Sequence, residues 1–167
     1  MNIILQASLQ TLNKSEVILK QLCNTQLSDA TVSPYYSSIG THFRHILDFY
    51  DCILKGTPNN KVDLTARSRN KRVEEDCHEA LNYLNKIIDH LKAFQFNETQ
   101  LIRVVDDLGT GKIEIPYTYG ALLSQANSHT IHHYAIINYI FDRLHIKIND
   151  SDFGFNPSTP KESLINK

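Results

Sequence analysis

Four stretches of the sequence place apolar residues three and four apart, the repeat that gives an α-helix one buried face. The first runs from about Ile3 to Leu27, with Leu5, Leu9, Leu12, Leu19 and Leu22 on the apolar side and Lys14, Glu16 and Lys20 left for solvent. The second is expected to start at Ser33-Pro34, serine as cap and proline at the first helical position, and to stop at Lys55-Gly56. Its stripe is Ile39, Phe43, Ile46, Leu47, Tyr50 and Leu54. The third extends from about Ser68 or Arg72 to Phe94, lined by Val73, Cys77, Ala80, Leu81, Leu84, Ile87, Ile88 and Leu91. Acidic Glu74, Glu75 and Asp76 near its start suit the positive end of the helix dipole. The fourth spans about Thr118 to Arg143, and there Leu122, Ala126, His129, His133, Ile136, Ile140 and Leu144 fall on one line.

Between the third and fourth stretches the period changes. Leu101-Ile-Arg-Val-Val and Ile113-Glu-Ile-Pro flank Asp106-Asp-Leu-Gly-Thr-Gly-Lys, which reads as a hairpin with a glycine-rich turn. Near the carboxyl end, Thr159, Pro160 and Glu162 have the form of a capping box for a short last helix. The expected fold class is therefore all-α: a four-helix bundle with a small β-hairpin insertion before the fourth helix and a short C-terminal helix. All 167 residues fit one domain, 1–167.

Charge and cysteine content narrow the function classes. Lys plus Arg is 17 against 18 for Asp plus Glu, a net charge of −1, so the chain has no global field to hold nucleic acid. No run approaches the length of a membrane span, and Ile3-Ile4-Leu5 is too short for a signal peptide. Cys23, Cys52 and Cys77 are odd in number and too widely spaced for a Cys-x-x-Cys motif, which points to a reducing, cytoplasmic setting.

The chemistry concentrates in histidines. His129 and His133, four apart, sit one turn apart on the apolar side of the fourth helix. Buried imidazoles need partners for both ring nitrogens, and two at this spacing can chelate one ion, with a third donor from a facing helix. The second helix offers His42 and His45 within Gly40-Thr-His-Phe-Arg-His-Ile-Leu-Asp48. Its periodicity favours His42, at the flank of the stripe, with His45 further out. His78, His90 and His145 fall off the stripes and read as surface residues. A di-iron site needs two Glu-x-x-His motifs, and Glu75-Asp-Cys-His78 is the sole one. The Gly109-Thr-Gly111 turn lacks a following Gly-Lys-Ser/Thr and is no phosphate loop. The basic cluster Arg67, Arg69, Lys71 and Arg72 is a solvated loop or holds an acidic group of a small substrate, with Arg67 and Arg69 as the candidates.

Ser38-Ile-Gly-Thr-His-Phe-Arg-His45-Ile-Leu-Asp48 together with His129-Thr-Ile-His-His133 resembles the DinB-like (DinB/YfiT) superfamily of metal-binding helical bundles. The late Phe153-Gly-Phe-Asn-Pro-Ser-Thr also looks like a tail found in one branch. The resemblance implies a divalent metal held by His45, His129 and His133, since the family's ligand is the histidine followed by an apolar residue and then Asp. His42 and His132 then become alternative ligands or neighbours that orient the ligands. The arginine that often follows the last pair is Tyr134 here. Members include transferases and isomerases that use low-molecular-weight thiols, and homodimerisation is expected at the family level.

The functional expectation is a divalent-metal-dependent enzyme acting on a small-molecule substrate. It is an S-transferase with a low-molecular-weight thiol, or a hydrolase; the rival reading is a non-enzymatic metal-binding or interaction bundle. All-imidazole ligation suits Zn, Ni or Fe. Asp48 is the sole carboxylate in either histidine motif, so the motifs name no general base.

Overall fold

The computed structural model describes residues 2–95 and 97–160. It contains six helices, α1 (Ile3–Leu19), α2 (Asn24–Ser28), α3 (Ile39–Gly56), α4 (Lys71–Glu75), α5 (Cys77–Ala93) and α6 (Tyr119–Arg143), and three strands, β1 (Lys61–Asp63), β2 (Leu101–Asp107) and β3 (Lys112–Thr118). The long helices α1 and α3 each pack on both α5 and α6.

The all-α four-helix bundle expected from periodicity is not what forms. The described chain is mixed α/β, because the hairpin is one part of a three-stranded sheet. β2 pairs antiparallel with β3 from Leu101↔Thr118 to Asp107↔Lys112, and parallel with β1 through Val62↔Val104. Val62, Leu64, Ile102 and Val104 are buried and continuous with the helical core, so the sheet is a structural layer rather than an insertion. β1 has only three residues, Lys-Val-Asp, too few to show a period of two. The turn between β2 and β3 uses Gly109 and Gly111 at positive φ, and Asp107 Oδ1 accepts from both of their backbone N–H groups.

Three helix boundaries also differ from expectation. The first stretch breaks after Leu19, and α2 restarts behind Cys23, whose backbone N–H donates to the Gln26 side chain. Leu22 and Leu27 face the same core as α1, so the apolar spacing runs through the break and conceals it. α3 starts not at Ser33-Pro34 but behind Ser38, whose Oγ accepts from the Thr41 N–H at 3.0 Å. Asp76 divides the third stretch: its extended backbone ends α4, and its carboxylate accepts from His78 and Glu79 N–H to open α5. The short last helix expected behind Thr159 falls on 161–167, outside the described residues.

Two features position the site. Gly40, in the first turn of α3, lies so close to α4 that a Cβ there would stand 2.0 Å from the Glu74 carbonyl oxygen. β3 runs directly into α6 through Thr118, whose hydroxyl accepts from the Ala121 N–H. The amino-terminal half of α3 and the middle of α6 thus come from different parts of the chain and meet. None of the described helices is long and apolar enough to cross a membrane.

Candidate metal centre

α3 contributes His42 and His45, one turn apart, and α6 contributes His129 and His133 at the i, i+4 spacing. Packing of α3 on α6 brings three of these rings to one point. His45 Nε2 lies 2.8 Å from His129 Nε2, and His133 Nε2 lies 3.2 Å from the same atom. One ligating nitrogen from each of His45, His129 and His133 stands within 4.8 Å of the others. Tetrahedral bonds of about 2.0–2.1 Å to one ion separate ligand nitrogens by about 3.3 Å, so the 2.8 and 3.2 Å separations from His129 Nε2 lie within about half an ångström of what sharing an ion requires.

The donor chemistry favours a cation at that point. A neutral imidazole nitrogen carries either one hydrogen or one lone pair. His129 Nε2 therefore satisfies only one of the two nitrogens that approach it. An ion in the middle accepts all three lone pairs at once.

The other sequence candidates take different places. His42 is buried at 8 % exposure and stands behind His133, Nδ1 to Nδ1 at 2.8 Å, with its own Nε2 2.9 Å from Ser37 Oγ. When Nδ1–H of His133 donates to His42 and Nε2–H of His42 donates to Ser37, the His133 Nε2 lone pair is left facing the centre. That is the usual arrangement behind a ligating histidine. His42, favoured by periodicity, thus orients a neighbour instead of joining the three. His132 is exposed, its ring centroid 6.3 Å from that of His129 and 5.4 Å from that of His133, and it is not among the three whose nitrogens converge. His78, His90 and His145 are exposed, as their positions off the stripes suggested.

The pair on α6 is half-buried, not interior. Leu122, Ala126 and Ile140 of the expected stripe are buried, but the buried side of this helix is centred on Leu123, Ala126, Thr130, Tyr134, Ile137 and Phe141, about one residue round from it. Two polar types, Thr130 and Tyr134, occupy it and hid it from an apolar count. Tyr134 donates from its hydroxyl to the Thr11 carbonyl on α1 and stacks on Phe153 of the tail, so this position packs the core. The consequence is access: His129 and His133 sit at a flank that solvent reaches.

Asp48 is fully buried and does not touch the histidines. Its Oδ2 accepts from Arg44 Nη1 and from the Arg69 backbone N–H, both at 3.1 Å, and its Oδ1 accepts from the Tyr83 hydroxyl. It thereby anchors the loop after β1. That loop presents Arg67 to the site: Nη1 lies 3.0 Å from His45 Nδ1, while Nε donates to the Leu64 carbonyl. Arg69 is exposed, and its backbone rather than its guanidinium is engaged. Sequence reasoning missed Ser37 and the anchoring role of Asp48, because neither lies at a metal-ligand spacing.

Electrostatics keep the rings neutral, the form that ligates. Burial, then the Arg67 guanidinium and His129, push His45 from 6.5 down to about 3. Burial and then His129 and His45 push His133 down to about 2. His42 and His129 are lowered too, chiefly by burial, with the Asp106 carboxylate opposing the shift at His129. The unfolded chain, with ordinary histidines, then binds protons that the folded chain refuses. Stability of the metal-free protein is complete above about pH 6.5 and falls as pH drops toward the lowered values. Denaturant unfolding between pH 7 and 5, above the range in which ordinary carboxylates titrate, is expected to show that decline. A flat profile would contradict it.

No protein-family model, curated protein or solved structure matches this chain. Its chemistry rests on its own residues.

Proposed function

We propose that His45, His129 and His133 hold one divalent cation and that the protein is a metal-dependent enzyme acting on a small molecule. The observation that carries this reading is the approach of three imidazole nitrogens to one point, two of them within 3.2 Å of the third. Three protein ligands leave coordination positions open, the mark of a catalytic rather than a structural site. An all-nitrogen set suits Zn, Ni or Fe and leaves the ion's charge undiminished. When bound, the ion supplies Lewis acidity and favours the anionic form of a thiol or water brought to it.

The surrounding residues favour thiol-dependent group transfer over hydrolysis. None of the carboxylates of the described residues is hydrogen-bonded to the three histidines, and the nearest fixed side-chain charge is the Arg67 cation. A bound ion itself acidifies water, so hydrolysis needs no protein base to form its nucleophile, but among the described residues no carboxylate in contact with the histidines stands ready to shuttle that proton. A low-molecular-weight thiol, already acidic, makes less demand of that kind. His42 and Ser37 hold His133 in one orientation. The half-buried flank of α6 leaves His129 and His133 open to solvent on one side.

Elemental analysis of untagged protein, loaded with zinc and desalted, tests the reading. One ion per chain is expected. No retained ion would overturn it and leave a hydrogen-bonded histidine cluster.

A further inference from the structure

Arg67 is a half-buried cation with no counter-charge. Arg44 pairs with Asp48 and Glu74, Arg72 with Glu79, and Arg103 with Glu114. Arg67, among the described residues, makes no ion pair; its contacts are the Leu64 carbonyl and His45 Nδ1. A guanidinium carries five N–H donors in a planar fork and accepts nothing. Two donors are used here, and three remain. A half-buried charge with donors to spare is completed by water or by an anion, and an anion satisfies the charge and the donors together.

The contact with His45 adds a second, independent constraint. Arg67 donates to Nδ1, so in a neutral ring the hydrogen resides on Nε2. Nε2 is the atom aimed at His129 and at the shared centre. A ligating nitrogen must present a lone pair. Arg67 seated on His45 and an ion seated on His45 Nε2 therefore exclude one another. Two positive groups at that separation also repel. For the ion to bind, the guanidinium must leave the ring, and its remaining bond to the Leu64 carbonyl lets it swing without losing its loop.

We propose that Arg67 is the binding residue for a carboxylate on the small-molecule ligand, and that carboxylate and metal bind cooperatively because the carboxylate draws Arg67 away from His45. This rests on the metal reading above and adds to it the substrate class: a small carboxylic acid whose reacting group reaches the ion while its carboxylate lies in the Arg67 fork. Bidentate geometry fits a planar oxyanion. Linkage makes the coupling reciprocal, so whatever factor the carboxylate lends to the metal, the metal lends to the carboxylate.

The test measures zinc affinity by competition with a chromophoric chelator, in wild type, Arg67→Met and Arg67→Lys, with and without saturating acetate. In wild type, acetate is expected to tighten zinc binding about fivefold or more, after correction for zinc held by acetate in solution. Arg67→Met is expected to bind zinc about tenfold more tightly than wild type without acetate, and to show no acetate response. Arg67→Lys, which keeps the charge and loses the fork, is expected to show a weakened response. Equal zinc affinity in all three proteins, unmoved by acetate, would overturn this proposal and leave the metal site standing. Failure of all three proteins to bind zinc, with or without acetate, would overturn both.

Discussion

Replacing His129 by alanine is expected to abolish metal binding while leaving the fold in place. His129 Nε2 is the atom that both His45 and His133 approach, so its loss removes the middle of the cluster and not one edge of it. Loss of a group that merely orients a ligand costs about 10–100-fold in affinity, and loss of a ligand costs more, so a fall of at least about 100-fold is expected. The effect is legible in stability as well. An ion at 100 times its dissociation constant stabilises the folded chain by about 2.7 kcal/mol, and that increment should vanish in His129→Ala. The metal-free variant should unfold close to the metal-free wild type, because the ring is half-buried at a flank and the α6 core line, Ala126 through Phe141, is untouched. His132→Ala is the control, since this exposed ring lies outside the cluster, and it should retain the ion. Full occupancy in His129→Ala would refute the assignment.

The largest effect on the fold is expected at Asp48→Ala. This carboxylate is fully buried and receives donors from three elements: Arg44 on α3, Tyr83 on α5 and the backbone of Arg69 in the loop. Truncation strands the Arg69 N–H, leaves the Tyr83 hydroxyl with Asp51 alone and leaves Arg44 with Glu74 alone. Removing one partner of a buried, hydrogen-bonded charge pair typically costs about 3–5 kcal/mol, a large share of the total stability of a domain this size. Asp48→Asn keeps one acceptor oxygen and should recover part of the loss. Because the loop that Asp48 anchors carries Arg67, the alanine variant should also lose any acetate dependence of zinc binding. A change in unfolding free energy within about 0.5 kcal/mol would show that the carboxylate does not hold the loop.

The histidine cluster was legible because two of its members sit at a helical spacing. His129 and His133 at i, i+4 announce a shared face whatever their burial. His42 and His45 were harder, since both lie near the buried side of α3, and the apolar stripe pointed to the one that ended up behind His133. It is His45 whose nitrogen stands with those of His129 and His133. The hairpin and the span of α6 were visible from the change in period between the third and fourth apolar stretches. What stayed hidden has physical reasons. β1 is too short for a pattern and gains its pairing from β2, far along the chain. The breaks at Cys23 and Asp76 fall where apolar spacing continues across a change of direction, because both sides face one core. Asp48 and Arg67 come together only through the loop that follows β1, and a contact of that kind has no spacing to read.

X-ray absorption spectroscopy on the zinc-loaded protein tests the central claim most directly, since it counts and identifies the ligands around the ion. Scattering from three imidazole nitrogens at about 2.0–2.1 Å is the result expected, falling to two in His45→Ala and in His133→Ala. A shell of one imidazole or none, or one dominated by sulfur, would contradict it.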